Sequence, residues 1–188
     1  KLGDISKNII GAMSADELYE NTLKWAKVYD TDFAQRLESQ KDYSLKVLAI
    51  ERGGDNPRKD FAMYSEIKDG ISYMYDDLYN IDSAKNALST VLTPEKVSEI
   101  LNAFSTHDIK ATHKDEWFAE MKSIATELGY APDGKTFKAN PDQYKGSIAD
   151  VAMVLRIALT ERTKAPDMYA VMNVFGVEQS KMRFKNLA

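Results

Sequence analysis

Hydrophobic residues recur at intervals of three and four residues along nearly the whole chain, which is the spacing of one face of an α-helix. The clearest stripe of the first half consists of Leu18, Thr22, Trp25, Ala26 and Tyr29. A short helix is predicted over 32–39, and a third helix stops at Gly53-Gly54. From Ser65 the residues Ile67, Ile71, Met74 and Leu78 form one stripe, so this stretch is predicted to be a single helix.

Local start signals support the helical pattern. Three capping boxes, in which a hydroxyl residue is followed by an acid three residues later, are Ser14 with Glu17, Thr112 with Asp115, and Ser147 with Asp150. Thr93-Pro94-Glu95 is another typical helix start. Further helices are predicted over 82–92, from 166 to 176 and at the end of the chain, with the longest loop over 130–146.

These elements predict an all-α fold with no significant β-sheet. The polar stretch around 105–112 separates two groups of helices. We therefore expect two helical subdomains, residues 1–106 and residues 107–188.

The composition excludes several kinds of site. The chain has 188 residues and a net charge of −4, and it contains no cysteine and two histidines. A disulfide framework, a cysteine-ligated metal and a thiol nucleophile are therefore excluded. No apolar run approaches the roughly 18 residues of a membrane span. The first residue is Lys1 instead of Met, so we expect an excised fragment or processed chain of a soluble, intracellular protein.

The familiar motifs of self-sufficient enzymes are also missing. The sequence has no Gly-x-x-x-x-Gly-Lys phosphate loop and no Gly-x-Gly-x-x-Gly. His107 and His113 are six residues apart in a polar stretch, and Asp76-Asp77 point about 100° apart on a helix. We expect no catalytic residue, no metal site and no cofactor in this chain.

The distribution of charge is more informative than its total. Residues 147–188 carry six Lys and Arg against four Asp and Glu, whereas the remainder carries 19 against 25. A basic C-terminal region is compatible with contact to a polyanion. A surplus this small is equally consistent with an ordinary mixed surface.

A resemblance to a known family rests on residues 150–176. The relevant residues are Arg156-Ile157-Ala158-Leu159-Thr160, then Pro166-Asp167-Met168, then Phe175-Gly176. This pattern resembles the C-terminal anticodon-binding region of bacterial class I glutamyl-tRNA synthetases, with Arg-x-Ala-Leu-Thr-Gly, a short linker, Pro-Asp/Gly-Leu and a closing Leu-Gly. Residues 1–5, 48–52 and 57–60 are also similar to that family. Glu161 stands where the family usually has Gly, and the catalytic signatures His-x-Gly-His and Lys-Met-Ser-Lys-Ser are absent.

The resemblance implies helical subdomains of the α-helix cage or orthogonal bundle type that hold a tRNA anticodon stem-loop. The parent would be a cytoplasmic, monomeric aminoacyl-tRNA ligase of translation that joins glutamate to tRNA. ATP and Mg would belong to its catalytic domain, so the fragment alone would catalyse nothing. Two alternatives stay open: the equivalent region of a class I lysyl-tRNA synthetase, and a helical protein-interaction module without nucleic-acid binding.

The resemblance also implies individual contacts. The family's anticodon-binding positions correspond to Arg156, Ala165, Pro166 and Met168. Thr160 lies four residues after Arg156, hence on the same helix face. Arg162 and Lys164 are candidate phosphate contacts.

The residues around Pro166 suggest how a nucleotide could be held. If Pro166 begins a helix, Ala165 is its cap and offers no side-chain acceptor, so backbone donors remain available to a nucleotide. Asp167 would repel a phosphate, which favours contact with base edges.

Overall fold

The structure is a computed structural model that describes residues 2–109 and 112–188. Within these ranges the chain forms twelve α-helices and no β-strand, apart from an isolated bridge between Ala131 and Ser147. The predicted all-α fold is therefore confirmed. No helix of the described ranges is both long and apolar enough to cross a membrane.

Contacts divide the chain into two compact units, Lys1–Leu78 and Tyr79–Ala188. The α-helices of the first unit are α1 (Leu2–Ala12), α2 (Ala15–Tyr29), α3 (Thr31–Ser39), α4 (Lys41–Leu48) and α5 (Ile67–Ile71). Those of the second are α6 (Ile81–Leu88), α7 (Pro94–Thr106), α8 (Lys114–Glu127), α9 (Gly134–Ala139), α10 (Ile148–Thr160), α11 (Met168–Phe175) and α12 (Val177–Leu187).

The boundary predicted at 106/107 lies inside the second unit. Helix α7 packs against α10 and α12, and its Ile100 and Leu101 belong to the same buried cluster as Leu155 and Phe184. This cluster joins helices from both sides of the polar stretch around 105–112, of which residues 110 and 111 lie outside the described ranges.

The first unit is held by buried side chains of α2, α3 and α4. Leu18, Phe33 and Leu37 are almost completely buried, and the Tyr19 hydroxyl donates to the Leu37 carbonyl oxygen at 3.0 Å. The predicted capping box before α2 is confirmed, since Ser14 and Glu17 exchange side-chain and backbone hydrogen bonds. Helix α1 was not predicted from the hydrophobic pattern.

The stripe over 65–78 does not form one helix. The segment contains a 3₁₀ turn at Tyr64–Glu66, then α5, then a second 3₁₀ turn at Ser72–Met74. Tyr73, Met74 and Tyr75 are all buried. Three consecutive residues span about 200° around a regular helix, which is wider than the single apolar stripe that the sequence predicts for this segment.

The second unit departs from the sequence prediction in two places. The capping box of Thr112 and Asp115 is wrong: the cap residue of α8 is His113, and the Thr112 hydroxyl instead donates to the Glu116 carboxylate at 3.0 Å. The stretch 130–146 is also not all loop. Asp133 caps α9 by accepting from the Thr136 N–H at 2.7 Å, so a turn signal there serves as a helix start.

Candidate nucleic-acid interface

Helix α10 positions the first candidate residue, Arg156. The helix begins where the predicted Ser147–Asp150 box forms, with the Asp150 carboxylate accepting from the Ser147 N–H at 2.7 Å. Its apolar residues Val151, Val154, Leu155 and Ala158 are buried. Arg156 lies beside this buried face and is partly exposed.

The end of α10 places Thr160 differently from Arg156. The Thr160 side chain is completely buried, and its hydroxyl donates to the Arg156 carbonyl oxygen at 2.8 Å. Its role in the structure is to hold the last turn of the helix. Glu161 follows in a left-handed conformation with φ 62°.

The predicted start of the next helix is wrong by two residues. Helix α11 begins at Met168, and its cap is Asp167, whose carboxylate accepts from the Ala170 N–H at 3.1 Å. The N-terminus of this helix is therefore capped by its own chain. The sequence predicts open backbone N–H groups at a helix start formed by Ala165 and Pro166. No helix starts at these two residues, so this prediction is wrong.

A groove lies between α8, α10 and the start of α11, with a volume of about 500 Å³. We call it the α8–α10 groove. The lining residues used below are Lys114, Trp117, Phe118, Arg156, Asp167 and Met168. Two of the predicted anticodon residues, Arg156 and Met168, thus border the same space.

The groove combines a cation with aromatic surface. Within residues 2–109 and 112–188, no hydrogen bond or ion pair engages the Arg156 guanidinium. Phe118 is 51% exposed, whereas the adjacent Trp117 is 5% exposed and its ring centroid lies 6.2 Å from that of Tyr169. Lys114 Nζ and Asp167 Oδ2 form a salt bridge of 2.8 Å.

Three long-range contacts fix the end of α10, close to Arg156. The Tyr79 hydroxyl donates to the Ala158 carbonyl oxygen at 2.6 Å, and the Arg183 guanidinium donates to that of Leu159 at 2.8 Å. The Glu161 carboxylate accepts from the Asn80 N–H at 2.8 Å. The first two bonds satisfy helix-end carbonyl oxygens that have no partner within the helix.

Arg183 is buried between two aromatic rings. Its guanidinium carbon lies 4.0 Å from the ring centroid of Tyr79 and 3.9 Å from that of Phe175. Such cation–π contacts gain strength where solvent is excluded. Burial also raises the pKa of the Tyr79 hydroxyl, so this group stays protonated and can donate.

Comparison with known proteins gives a family match for the C-terminal part of the chain. Residues 134–188, which include Arg156 and the whole connection to α11, match the family described as anticodon binding domain.

The wider chain resembles glutamate–tRNA ligases. It is 39% identical over 188 residues to that of Clostridium beijerinckii and 38% identical over 186 residues to that of Clostridium perfringens strain SM101, covering 98% of this chain and 34% of each relative. The ligase of Sorangium cellulosum is 31% identical over 183 residues, or 97% of this chain and 32% of the relative. The chain thus spans about a third of the length of these curated relatives. No solved structure gives a significant match.

These matches confirm the resemblance inferred from residues 150–176. The chain is similar to glutamate–tRNA ligases along nearly its whole length, and its residues 134–188 are similar to the anticodon binding domain. The similarity extends well beyond the short motif on which the inference rested.

The other four predicted site residues are not part of the groove lining that the structure describes. Ala165 and Pro166 are half-buried, Arg162 is partly exposed and Lys164 is exposed. All four belong to the connection between Glu161 and Asp167.

Sequence reasoning missed the contribution of α8 to the groove. The helical spacing of Phe118, Met121, Ile124, Ala125 and Leu128 predicts that Phe118 is a core residue. In the structure Trp117, Met121 and Ile124 occupy the buried positions instead. Adjacent residues of a helix point about 100° apart, so on a helix with a single apolar stripe at least one of two adjacent aromatic rings lies towards the edge of that stripe. That adjacency was the available signal that one of the two rings is exposed.

The described residues also bear on metal binding. Among them, no group of three or more His, Asp or Glu side chains is arranged to hold a metal ion.

Proposed function

We propose that the chain binds the anticodon loop of a tRNA at the α8–α10 groove and its adjoining connection. The observation that carries this proposal is the position of Arg156. Its guanidinium is partly exposed, is engaged by none of the described side chains, and borders the groove together with Met168. The family match over 134–188 supports the same region.

The chemistry of the groove suits unpaired nucleotides. Proteins that recognise RNA by sequence usually target loops, whose splayed bases expose their edges and faces. An arginine can form two parallel hydrogen bonds with a base edge or a phosphate. Asp167 beside Arg156 disfavours a phosphate and therefore favours base-edge contact. Arg162 and Lys164, on the connection between Glu161 and Asp167, would attract the RNA backbone through their positive charge.

The proposal extends to the parent protein. The curated relatives are glutamate–tRNA ligases, so we infer that the parent ligates glutamate to tRNA in the cytoplasm, with ATP and Mg used by a catalytic domain outside this chain. The chain would then contribute tRNA recognition alone, and it would act as a monomer on one anticodon stem-loop.

The test is a binding titration of the 188-residue chain with a glutamate tRNA and its isolated anticodon stem-loop at several salt concentrations. Affinity should fall linearly on a log–log plot as salt rises, because phosphate contacts release counterions. Arg156→Ala should weaken binding by about 1–3 kcal/mol. Lys138→Ala removes one exposed positive charge from α9, outside the groove lining, and should change affinity little.

Two results would contradict the proposal. Binding that is absent, or that does not respond to salt, would favour a protein-interaction module. A lower melting temperature for Arg156→Ala with unchanged tRNA affinity would assign Arg156 a structural role.

A further inference from the structure

Phe118 is exposed to a degree that packing within its own unit does not explain. In the described part of the second unit, the large apolar side chains with exposed surface are Ile81 at 38%, Phe118 at 51% and Met182 at 64%. Of these three, Phe118 lines the α8–α10 groove. It is also the aromatic member of the three.

The helix that carries Phe118 is fixed by other residues. Trp117, Met121 and Ile124 bury the inner face of α8, and Lys114 ties its first turn to the cap of α11 through the 2.8 Å salt bridge with Asp167. Phe118 is therefore held on a supported helix while half of its surface remains open. A ring held in this way loses little conformational freedom when it stacks on a ligand.

The groove has room for a planar group. Its volume of about 500 Å³ falls within the roughly 300–1,000 Å³ typical of sites for small molecules. Arg156 borders the same space from α10. An aromatic face beside a cation is the combination that binds single-stranded nucleic acids, with the face stacking on a base and the cation attracting its polar atoms or its phosphate.

We propose that Phe118 is the platform on which one unpaired base of the anticodon loop stacks, while Arg156 contacts the polar edge of that base or its neighbour. This inference rests on the proposed function and adds a residue outside the 134–188 family match. Because every base has a π face, the Phe118 contact contributes affinity without choosing a base. Selection among bases is left to Arg156 and the connection to α11.

The experiment compares four forms of the 188-residue chain in the same stem-loop titration: wild type, Phe118→Leu, Phe118→Trp and Met182→Ala. Leucine keeps the apolar volume but removes the ring, so affinity should fall about tenfold. Tryptophan keeps a stacking face and should bind within about twofold of wild type. Met182→Ala, a change at another exposed apolar side chain, should leave affinity unchanged.

The salt dependence separates stacking from charge. Phe118→Leu should bind more weakly at every salt concentration with the same log–log slope as wild type, since no phosphate contact is lost. Melting temperatures of all forms should stay close to that of wild type, because Phe118 is half exposed.

A spectroscopic measurement reports on the groove itself. The chain has two tryptophans, Trp25 and Trp117. In a Trp25→Phe background the tryptophan fluorescence therefore comes from Trp117 alone, which is next to Phe118. RNA should quench this signal, and the quenching should shrink when Phe118→Leu is added at saturating RNA.

The outcomes distinguish the two proposals. If Phe118→Leu binds like wild type while Arg156→Ala binds more weakly, the stacking proposal is overturned and tRNA binding stands. If Met182→Ala weakens binding as much as Phe118→Leu, the ring has no special role and the stacking proposal also falls. If wild type binds no stem-loop, both proposals fall.

Discussion

Tyr79 and Ala158 are separated by 79 residues, yet the tyrosine hydroxyl donates a 2.6 Å hydrogen bond to the alanine carbonyl oxygen. The bond reaches α10 two residues after Arg156. Arg183 supports the next carbonyl oxygen, that of Leu159, at 2.8 Å. The position of the candidate recognition residue thus depends on side chains that lie far from it in the sequence.

Removal of the Tyr79 hydroxyl should destabilise the second unit. Tyr79→Phe leaves the buried Ala158 carbonyl oxygen without this donor, which should lower the free energy of unfolding by about 1–2 kcal/mol. Urea denaturation measures the change. Tyr169→Phe is the matched control, since its hydroxyl donates to the Thr112 carbonyl oxygen at 3.1 Å in an exposed setting. Equal losses for the two variants would contradict a special role for Tyr79.

The residue at position 161 offers a second prediction. Glu161 has φ 62°, in the left-handed region that favours glycine, and its carboxylate accepts from the Asn80 N–H at 2.8 Å. Glu161→Ala should destabilise the chain, because it keeps the left-handed backbone and loses the hydrogen bond. Glu161→Gly should be about 1 kcal/mol more stable than Glu161→Ala, since glycine adopts this conformation without steric cost. Thermal melts that show no difference between the two variants would argue against backbone strain here.

Asp167 should limit affinity for RNA if the groove binds it. Asp167→Asn keeps a side-chain oxygen for the cap of α11 but removes the negative charge and releases Lys114 from its 2.8 Å salt bridge. Stem-loop affinity should rise a few-fold at low salt, with a steeper dependence on salt. Asp142→Asn, at an exposed position outside the groove lining, is the control. A loss of affinity in Asp167→Asn would mean that the carboxylate itself contacts the RNA.

The stability of the first unit should depend on pH through Asp30. The hydrogen bond from Lys68 Nζ, at 2.6 Å, and that from the Phe33 N–H, at 3.0 Å, hold the pKa of this carboxyl below its usual range. A lowered folded-state pKa contributes stability above the unfolded value of about 3.9, and this contribution is lost as pH falls through the folded-state pKa.

The comparison with Asp30→Asn tests this sign. Asparagine can still cap α3, so the variant loses mainly the charge interaction with Lys68. At neutral pH the variant should unfold at lower denaturant concentration than wild type. This difference in denaturation midpoint should become smaller below about pH 4. A difference in denaturation midpoint that stays constant down to about pH 2 would show that ionisation of Asp30 contributes nothing to stability.

The boundaries of individual helices show which parts of the fold are local. The capping boxes at Ser14 and Ser147 formed as predicted because each joins groups three residues apart. The box at Thr112 did not form, and the helix expected at Pro166 starts at Met168. In the second case Ala165 has no side-chain acceptor to cap a helix, whereas Asp167 has one and also pairs with Lys114 of α8, so the helix begins after Asp167.

By itself, the sequence determined the all-α class, most helix positions and the region of resemblance around Arg156, since periodicity, capping and motifs are properties of neighbouring residues. Only the tertiary structure decided that Arg156 and Phe118 border one groove and that Thr160 faces inward. The tertiary structure also decided that α7 joins the second unit. These outcomes depend on which apolar helix faces pack against each other. The faces that pack together belong to segments that are distant along the chain, so local sequence patterns do not determine them.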